Sequence, residues 1–381
     1  MGIIVLVLLT TAVFVTLKGA RVLGTLFAVA LGAGPLETGI VFAMFGLFPF
    51  VLSVWAGRIA DRLDNRTLIY CGIGGVAACL LLPFAVPTLP ALYVAVAFGG
   101  LSSMLFVVAT QNLMGVLSTA ENRARNFSYY SLGESLATVI GPVFVGLAID
   151  AFRHPLTYLC LAIYTAALGL QFYINRHRVP DVVRSAPSGE RRSSLELLKL
   201  PALRNAMITN GIVMAGLDLF SLYMPVYAHG LGLSASAIGF IVGAFGAAGI
   251  VTRLAIPWLT RAFGERRTLA WTLGLSALTF VTFPFTTSPV LLGCAAFVLG
   301  LGLGCGQPLT MLLAYNASPP GRSAEGISMR LAVSYGSHVV LPPVFGAFGS
   351  VFGLAPVFWT GAMLLAGGAL LSRPRRRETG A

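Results

Sequence analysis

Residues 175–204 read NRHRVPDVVRSAPSGERRSSLELLKLPALR, the one long polar stretch in a chain of 381 residues. It lies at the middle of the chain and holds Arg176, Arg178, Arg184, Arg191, Arg192, Lys199 and Arg204. Its SAPSGERRSS segment has the composition of a flexible linker. On either side the sequence is apolar in runs of roughly 20 residues, the length that crosses a bilayer core. These runs fall near 2–31, 37–57, 67–86, 91–119, 127–149, 155–175, 205–228, 235–260, 268–287, 290–315, 323–349 and 354–372. The joints are mostly short and carry turn residues, such as GAGPLE at 32–37, VPTLP at 86–90 and TTSP at 286–289. The pattern predicts an all-α integral membrane protein with about twelve transmembrane helices in two pseudo-symmetric six-helix bundles. The first bundle covers 1–175 and the second 205–372, joined by a cytoplasmic linker at 176–204 and followed by a basic tail at 373–381.

Composition supports a lipid-solvated chain. Hydrophobic residues make up 57% and charged residues 10%, where soluble domains carry about 45–50% and about 25%. Mean hydropathy is +0.86. A soluble protein of this size needs a far more polar surface, and disorder, coiled coil and a secreted disulfide scaffold are excluded with it. The net charge of +12 does not mark a nucleic-acid partner, because the basic residues punctuate the ends of apolar runs instead of lining one face. Cys71, Cys79, Cys160, Cys294 and Cys305 all lie in apolar stretches without CxxC spacing and read as small core hydrophobes.

The side on which Lys and Arg fall sets the orientation. With the N-terminus inside, twenty of the 25 are cytoplasmic: Arg58, Arg62, Arg66, Arg123, Arg125, the seven of the linker, Arg261, Arg266, Arg267, Arg322, Arg373, Arg375, Arg376 and Arg377. Only Arg153 falls outside, and Lys18, Arg21, Arg253 and Arg330 lie within spans. This is a positive-inside pattern with both termini cytoplasmic, expected for a multi-pass protein of the cell's inner membrane. The apolar start MGIIVLVLLTTAVFV has neither a basic region before it nor a cleavage-type site after it, so it reads as a span and not a leader.

The halves resemble each other. At an offset of 200, Gly32, Gly39 and Gly46 fall on Gly232, Gly239 and Gly246. At 201, Arg66-Thr67-Leu68 becomes Arg267-Thr268-Leu269, and Pro142-Val143-Phe144 becomes Pro343-Val344-Phe345. Six spans repeated in one orientation form a parallel repeat about an axis along the membrane normal.

The loop after the second span, Gly57-Arg58-Ile59-Ala60-Asp61-Arg62-Leu63-Asp64-Asn65-Arg66, resembles the G-x-L-a-D-R-x-G-R-K/R signature of the major facilitator superfamily. Asp64 and Asn65 stand where the signature has Gly and its first basic residue. The second copy, Pro257 to Arg267, keeps Gly264, Arg266 and Arg267 but has Arg261 in the acidic position. The resemblance implies a cytoplasmic latch built on Gly57, Asp61, Arg62 and Arg66, in which a carboxylate meets helix N-termini and basic groups of the other half. The fifth span carries Ala137-x-x-x-Gly141-Pro142-x-x-Val145-Gly146, similar to the glycine–proline motif of the superfamily's proton-driven exporters. It implies close helix approach and a bend at Gly141 and Pro142. The fourth span contains no charge, so the arginine of the exporters' fourth-helix motif is missing. Gly300-x-Gly302-x-Gly304-x-Gly306 in the tenth span has the wrong spacing and context for a dinucleotide loop and reads as packing.

Charges within spans are functional candidates, since each costs about 2.5–3.5 kcal/mol to insert. They are Lys18, Arg21, Glu134, Asp218, Arg253 and Arg330. Lys18 and Arg21 share a helix face. Lys18 falls on Asp218 at the 200-residue offset, and by the resemblance their helices face each other, so a midplane pair is expected. Glu134, Arg253 and Arg330 are expected nearer the cytoplasm. Four cations against two acids suit an anionic or zwitterionic substrate. His338 sits at mid-depth and can titrate near neutrality; Gln111, Asn112, Asn210 and Gln307 are further cavity candidates. Glu134 and Asp218 are the candidate proton carriers, with the four cations orienting substrate.

No nucleotide-binding G-x-x-x-x-G-K-[ST] or HExxH occurs, and Ser135 falls one residue short of G-x-S-x-G within a helix, so no enzyme, cofactor or metal is expected. The reading is a monomeric secondary transporter of a small organic solute, rocking two halves about a midplane site and exporting in exchange for protons. Proton-symport uptake of an organic anion, and a transporter-like sensor, stand as alternatives. The topology predicts that a cysteine placed at Ser188 is shielded in intact cells. An impermeant thiol reagent should label it only after permeabilisation, and labelling without permeabilisation would contradict the orientation.

Overall fold

The computed structural model describes residues 3–62, 65–118, 122–175, 199–319 and 323–373, with the side chains of 53–64 outside the described part. The described residues contain no strand. The helices are α1 (Ile3–Ala30), α2 (Pro35–Arg62), α3 (Asn65–Ala85), α4 (Leu89–Val116), α5 (Arg123–Ile174), α6 (Pro201–Gly230), α7 (Ala235–Phe263), α8 (Glu265–Thr282), α9 (Pro289–Gly304), α10 (Gly306–Ala317), α11 (Ser323–Phe352) and α12 (Leu354–Leu371). Their starts and stops follow from local chemistry. Pro35, Pro201 and Pro289 open α2, α6 and α9, where a missing N–H costs nothing. Ser234 caps α7, its Oγ accepting the Ala237 amide at 3.3 Å. Gly32 and Gly232 close α1 and α6 with φ of 86° and 77°, a left-handed turn that glycine enters without steric penalty.

Among the described residues, eleven helical segments are long and apolar enough to cross a membrane, against the twelve spans expected. The runs at 127–149 and 155–175 form one helix of 52 residues, about 78 Å at 1.5 Å per residue and more than twice a bilayer core of about 30 Å. That helix leaves helical geometry once, at Arg153 (φ 61, ψ 169). Conversely, the run at 290–315 is interrupted at Cys305 between α9 and α10. Pro308 lacks the N–H that the Gly304 carbonyl would accept, and its ring crowds that carbonyl.

Two cores hold the bundle. One is built from α1, α3, α4 and α5, around Phe14, Leu23, Phe106 and Phe172; the other from α6, α8, α9 and α12, around Phe220, Leu273, Phe280 and Phe358. They meet along α2–α11 and α5–α7. A Cβ on Gly39 would stand 2.5 Å from the Pro342 carbonyl oxygen, and one on Gly239 would stand 2.5 Å from that of Pro142. The Tyr223 hydroxyl donates to Pro342 at 2.7 Å. The prolines thus correspond at an offset of 200, Pro142 with Pro342, and not with Pro343 as the sequence alignment had it.

The same symmetry appears in two caps that cross between the halves. The Asp150 carboxylate at the end of the first leg of α5 accepts the Ala235 and Ser236 amides of α7 at 3.1 and 2.8 Å. Ser350 of α11 accepts the Leu36 amide of α2 at 3.2 Å. Each partner lies 200 residues from its counterpart, or within one of it. The caps satisfy otherwise orphaned helix-start donors and close the halves on each other at the end away from the linker.

Arg153 and Gly353 also correspond, and both turn with positive φ, 61° and 84°. A non-glycine residue held there costs on the order of 1–3 kcal/mol. Arg153→Gly should therefore raise the thermal unfolding midpoint in detergent, by the equivalent of about 1 kcal/mol. An unchanged or lower midpoint would mean the turn is unstrained.

Candidate functional site

The site begins where α1 crosses α5. Gly19 and Gly141 allow the contact: a Cβ on Gly141 would stand 2.7 Å from the Val15 carbonyl oxygen and 2.8 Å from the Gly19 nitrogen. Small residues at such a crossing bring backbones close. Lys18 then reaches Glu134, two turns before Gly141, with Nζ 3.2 Å from Oε1. The two side chains are 28% and 40% exposed, so they face open space and not packed core.

Opposite them, α6 presents Asp218, 5% exposed, to α11. His338 Nδ1 lies 2.8 Å from one carboxylate oxygen and 2.7 Å from the other. Gly46 of α2 lies against His338, with only 3.2 Å between a Cβ built there and the His338 Cβ, so the imidazole is held at the contact of the two halves.

Arg21 lies one turn beyond Lys18. Its guanidinium lies 4.3 Å from the Phe45 ring centroid and 5.6 Å from that of Phe42, a cation–π cradle. It interacts electrostatically with Asp218, Glu134 and Tyr335, yet among the described residues no carboxylate stands within ion-pair distance of it. A guanidinium over aromatic rings keeps N–H donors at its edge.

The remaining intramembrane cations are engaged by the protein. Arg253 of α7 crosses to α5, where Nη1 donates to the Ser131 carbonyl at 2.6 Å, to Ser131 Oγ at 2.9 Å and to Ser135 Oγ. Arg330, 9% exposed, donates from Nη1 to Asn210 Oδ1 at 3.1 Å. Asn210 also accepts from Thr310 at 3.1 Å and donates to Ser334 at 2.9 Å. Arg330 and Asn210 thus form a buried staple joining α6, α10 and α11, and not the open substrate contact expected of Arg330.

The expected Lys18–Asp218 pair does not form. Lys18 meets Glu134 and Asp218 meets His338, because each finds a partner on a helix of its own half. The contact also brings Glu134 to the depth of Lys18, higher than the sequence reading placed it. Asn112 donates to Asn65 at 3.0 Å, Gln111 is exposed beside it, and Gln307 lies 3.7 Å from the Met214 sulfur. Gly141 and Pro142 stand at the crossings already described, and Arg66 lies in the first turn of α3. The side chains of the latch residues Gly57, Asp61 and Arg62 lie outside the described part. Sequence reasoning missed Phe42, Phe45 and Ser131. The i, i+3 spacing of the two phenylalanines places them on one face, but nothing separates that face from others in a chain with 25 Phe.

Membrane-length helices in two internally similar halves, with paired charges held between them, define a multi-pass membrane transporter of the alternating-access kind. The chain belongs to the Major Facilitator Superfamily, whose family profile matches residues 3–329 and also 206–380. It is 24% identical over 291 residues to the multidrug resistance protein MdtG of Dickeya zeae, covering 74% of this chain and 71% of the relative. It is 22% identical to the quinolone resistance protein NorA of Staphylococcus aureus, covering 88% and 87%. The crystal structure of the nucleoside transporter NupG superposes with a TM-score of 0.82 at 15% identity, over 98% of this chain and 100% of that one. The protein is thus a secondary active transporter of a small solute.

The geometry predicts which charges are coupled. In double-mutant cycles on thermal stability, Lys18→Ala with Glu134→Ala should show a coupling of about 1 kcal/mol, modest because both groups are partly exposed. Lys18→Ala with Asp218→Ala should be additive. The reverse pattern would contradict the pairing.

Proposed function

We propose that this protein carries an organic anion across the inner membrane together with a proton, in the direction of uptake. In this reading the chain crosses twelve times, α5 crossing twice with its turn at Arg153. Residues 1–175 and 205–372 are the moving halves, and the linker at 176–204 and the tail at 373–381 are cytoplasmic.

The observation that carries the proposal is the isolated Arg21 between two paired sets. Lys18 and Glu134 cancel. Arg21 and Asp218 are opposite charges within electrostatic reach, and His338 beside Asp218 carries charge only when protonated. Over these four groups the empty site sums to zero; the Arg253 charge, which also acts on Glu134, is held by serine oxygens of α5. An anion alone leaves it at −1, and a proton alone leaves it at +1. Anion and proton together restore zero, the anion on Arg21 and the proton in the Asp218–His338 pair. Enclosing an uncompensated charge in a low-dielectric site costs several kcal/mol, so the halves rock readily when the site is empty or doubly loaded. That selection is symport.

A second reading, export in exchange for protons, is favoured by the drug-resistance names of MdtG and NorA. Proteoliposomes separate the two. An acid-outside pH gradient should drive accumulation of a labelled organic anion above equilibrium, and Arg21→Gln should weaken its binding by roughly 10–100-fold, the loss of a charge-assisted hydrogen bond. Expulsion of solute under the same gradient, with Arg21→Gln indifferent, would support the exporter.

A further inference from the structure

We propose that the first half of the chain contains an apolar tail pocket behind Arg21, so that the transported anion is a small monocarboxylic acid with a hydrocarbon tail. The inference rests on the reading of Arg21 as the carboxylate anchor. A cavity of about 60 Å³ lies among α1, α2, α3, α4 and the second leg of α5. Its wall includes Arg21, Gly24, Phe42, Phe45, Cys79 and Tyr158. Arg21 lines this cavity and also lies within electrostatic reach of Asp218 and Glu134. One ligand can therefore hold the guanidinium edge with its carboxylate and place its tail among the apolar residues.

Two observations mark the cavity as a site and not a packing defect. The first is Gly24. A Cβ there would meet nothing nearer than the Tyr158 hydroxyl at 3.8 Å, so close packing does not demand glycine at this position. Gly19, five residues earlier on the same helix, is different: a Cβ there would stand 2.8 Å from Val145. Glycine at 24 keeps room open. The second is Tyr158, 3% exposed, whose hydroxyl has no hydrogen-bond partner among the described residues. Buried hydroxyls are normally satisfied, and this one points to where an occupant would lie.

Volume and polarity set the ligand class. One water-sized position needs about 10–15 Å³, so the cavity takes about four to six heavy atoms. With the carboxylate carbon at Arg21, that is an acid of about five to seven carbons. Thr25 uses its hydroxyl on the Arg21 carbonyl at 3.0 Å, leaving Tyr158 to serve at most one polar atom on the tail. A sugar acid or a polyanion would bury groups with no partner there.

The test is isothermal titration of the full chain in lipid nanodiscs with acetate and with hexanoate, corrected for partition into empty discs. At roughly fourfold per buried methylene, hexanoate should bind at least tenfold more tightly than acetate. Gly24→Val fills the pocket and should bring that ratio close to one. Cys79→Leu, from the opposite wall, should act in the same direction if Gly24→Val does not fold. Arg21→Gln should weaken both acids alike. Equal binding of the two acids by the wild type, or a ratio that survives both filling variants, would overturn the tail pocket while leaving the anchor in place. Acetate binding that is indifferent to Arg21→Gln would overturn the anchor itself.

Discussion

A charge enclosed in a membrane protein must be compensated, by a counter-charge or by hydrogen-bonding groups, and this rule organises the interior of the molecule. The surrounding helices are apolar. Lys18 is answered by Glu134, Asp218 by His338, Arg253 by serine oxygens across the interface, and Arg330 by Asn210. Arg21 alone among these has aromatic faces in place of hydrogen-bonding or ionic protein partners. In the proposed function a solute anion supplies what it lacks, and a proton on the Asp218–His338 pair keeps the sum neutral.

The pairings depend on how closely the backbones approach. Gly19 against Gly141 brings Lys18 to Glu134, and Gly46 against α11 holds His338 beside Asp218. Gly39 and Gly239 pack against the carbonyls of Pro342 and Pro142, and Asp150 and Ser350 cap helices of the opposite half. These contacts seal one end of the interface by repeating one arrangement twice. They involve backbone and short polar groups, which can part and re-form without stranding a buried charge, as alternating access requires.

Much of this was legible in the sequence. Apolar runs between turn residues gave the helices, and the recurrence of Gly32, Gly39 and Gly46 two hundred residues later gave the two halves. The break between the fifth and sixth runs was legible, with Arg153 outside, but its positive φ was not, because an arginine stands where the second half uses Gly353. The prolines were aligned one residue off because Pro343-Val344-Phe345 repeats Pro142-Val143-Phe144 in letters, while the adjacent Pro342 holds the equivalent place in the fold. At the site, the repeat drew attention to Lys18 and Asp218 but paired them with each other, where the fold pairs Lys18 with Glu134 and Asp218 with His338. An internal repeat equates positions and depths; it does not say which face of a neighbouring helix a side chain meets. That is set by crossings such as Gly19–Gly141. The buried setting of Arg330 was not legible because its partner Asn210, and Thr310 and Ser334 around that amide, are ordinary polar residues until folding brings them together.

The central claim is that the site changes conformation only when its charges sum to zero. The most direct measurement is the charge moved per transport cycle in proteoliposomes, from simultaneous proton and labelled monocarboxylate fluxes with the membrane potential clamped by potassium and valinomycin. The account predicts one proton per monoanion and a rate indifferent to the potential. Uptake that accelerates or slows with the imposed potential, or monoanion flux without matching protons, would contradict it.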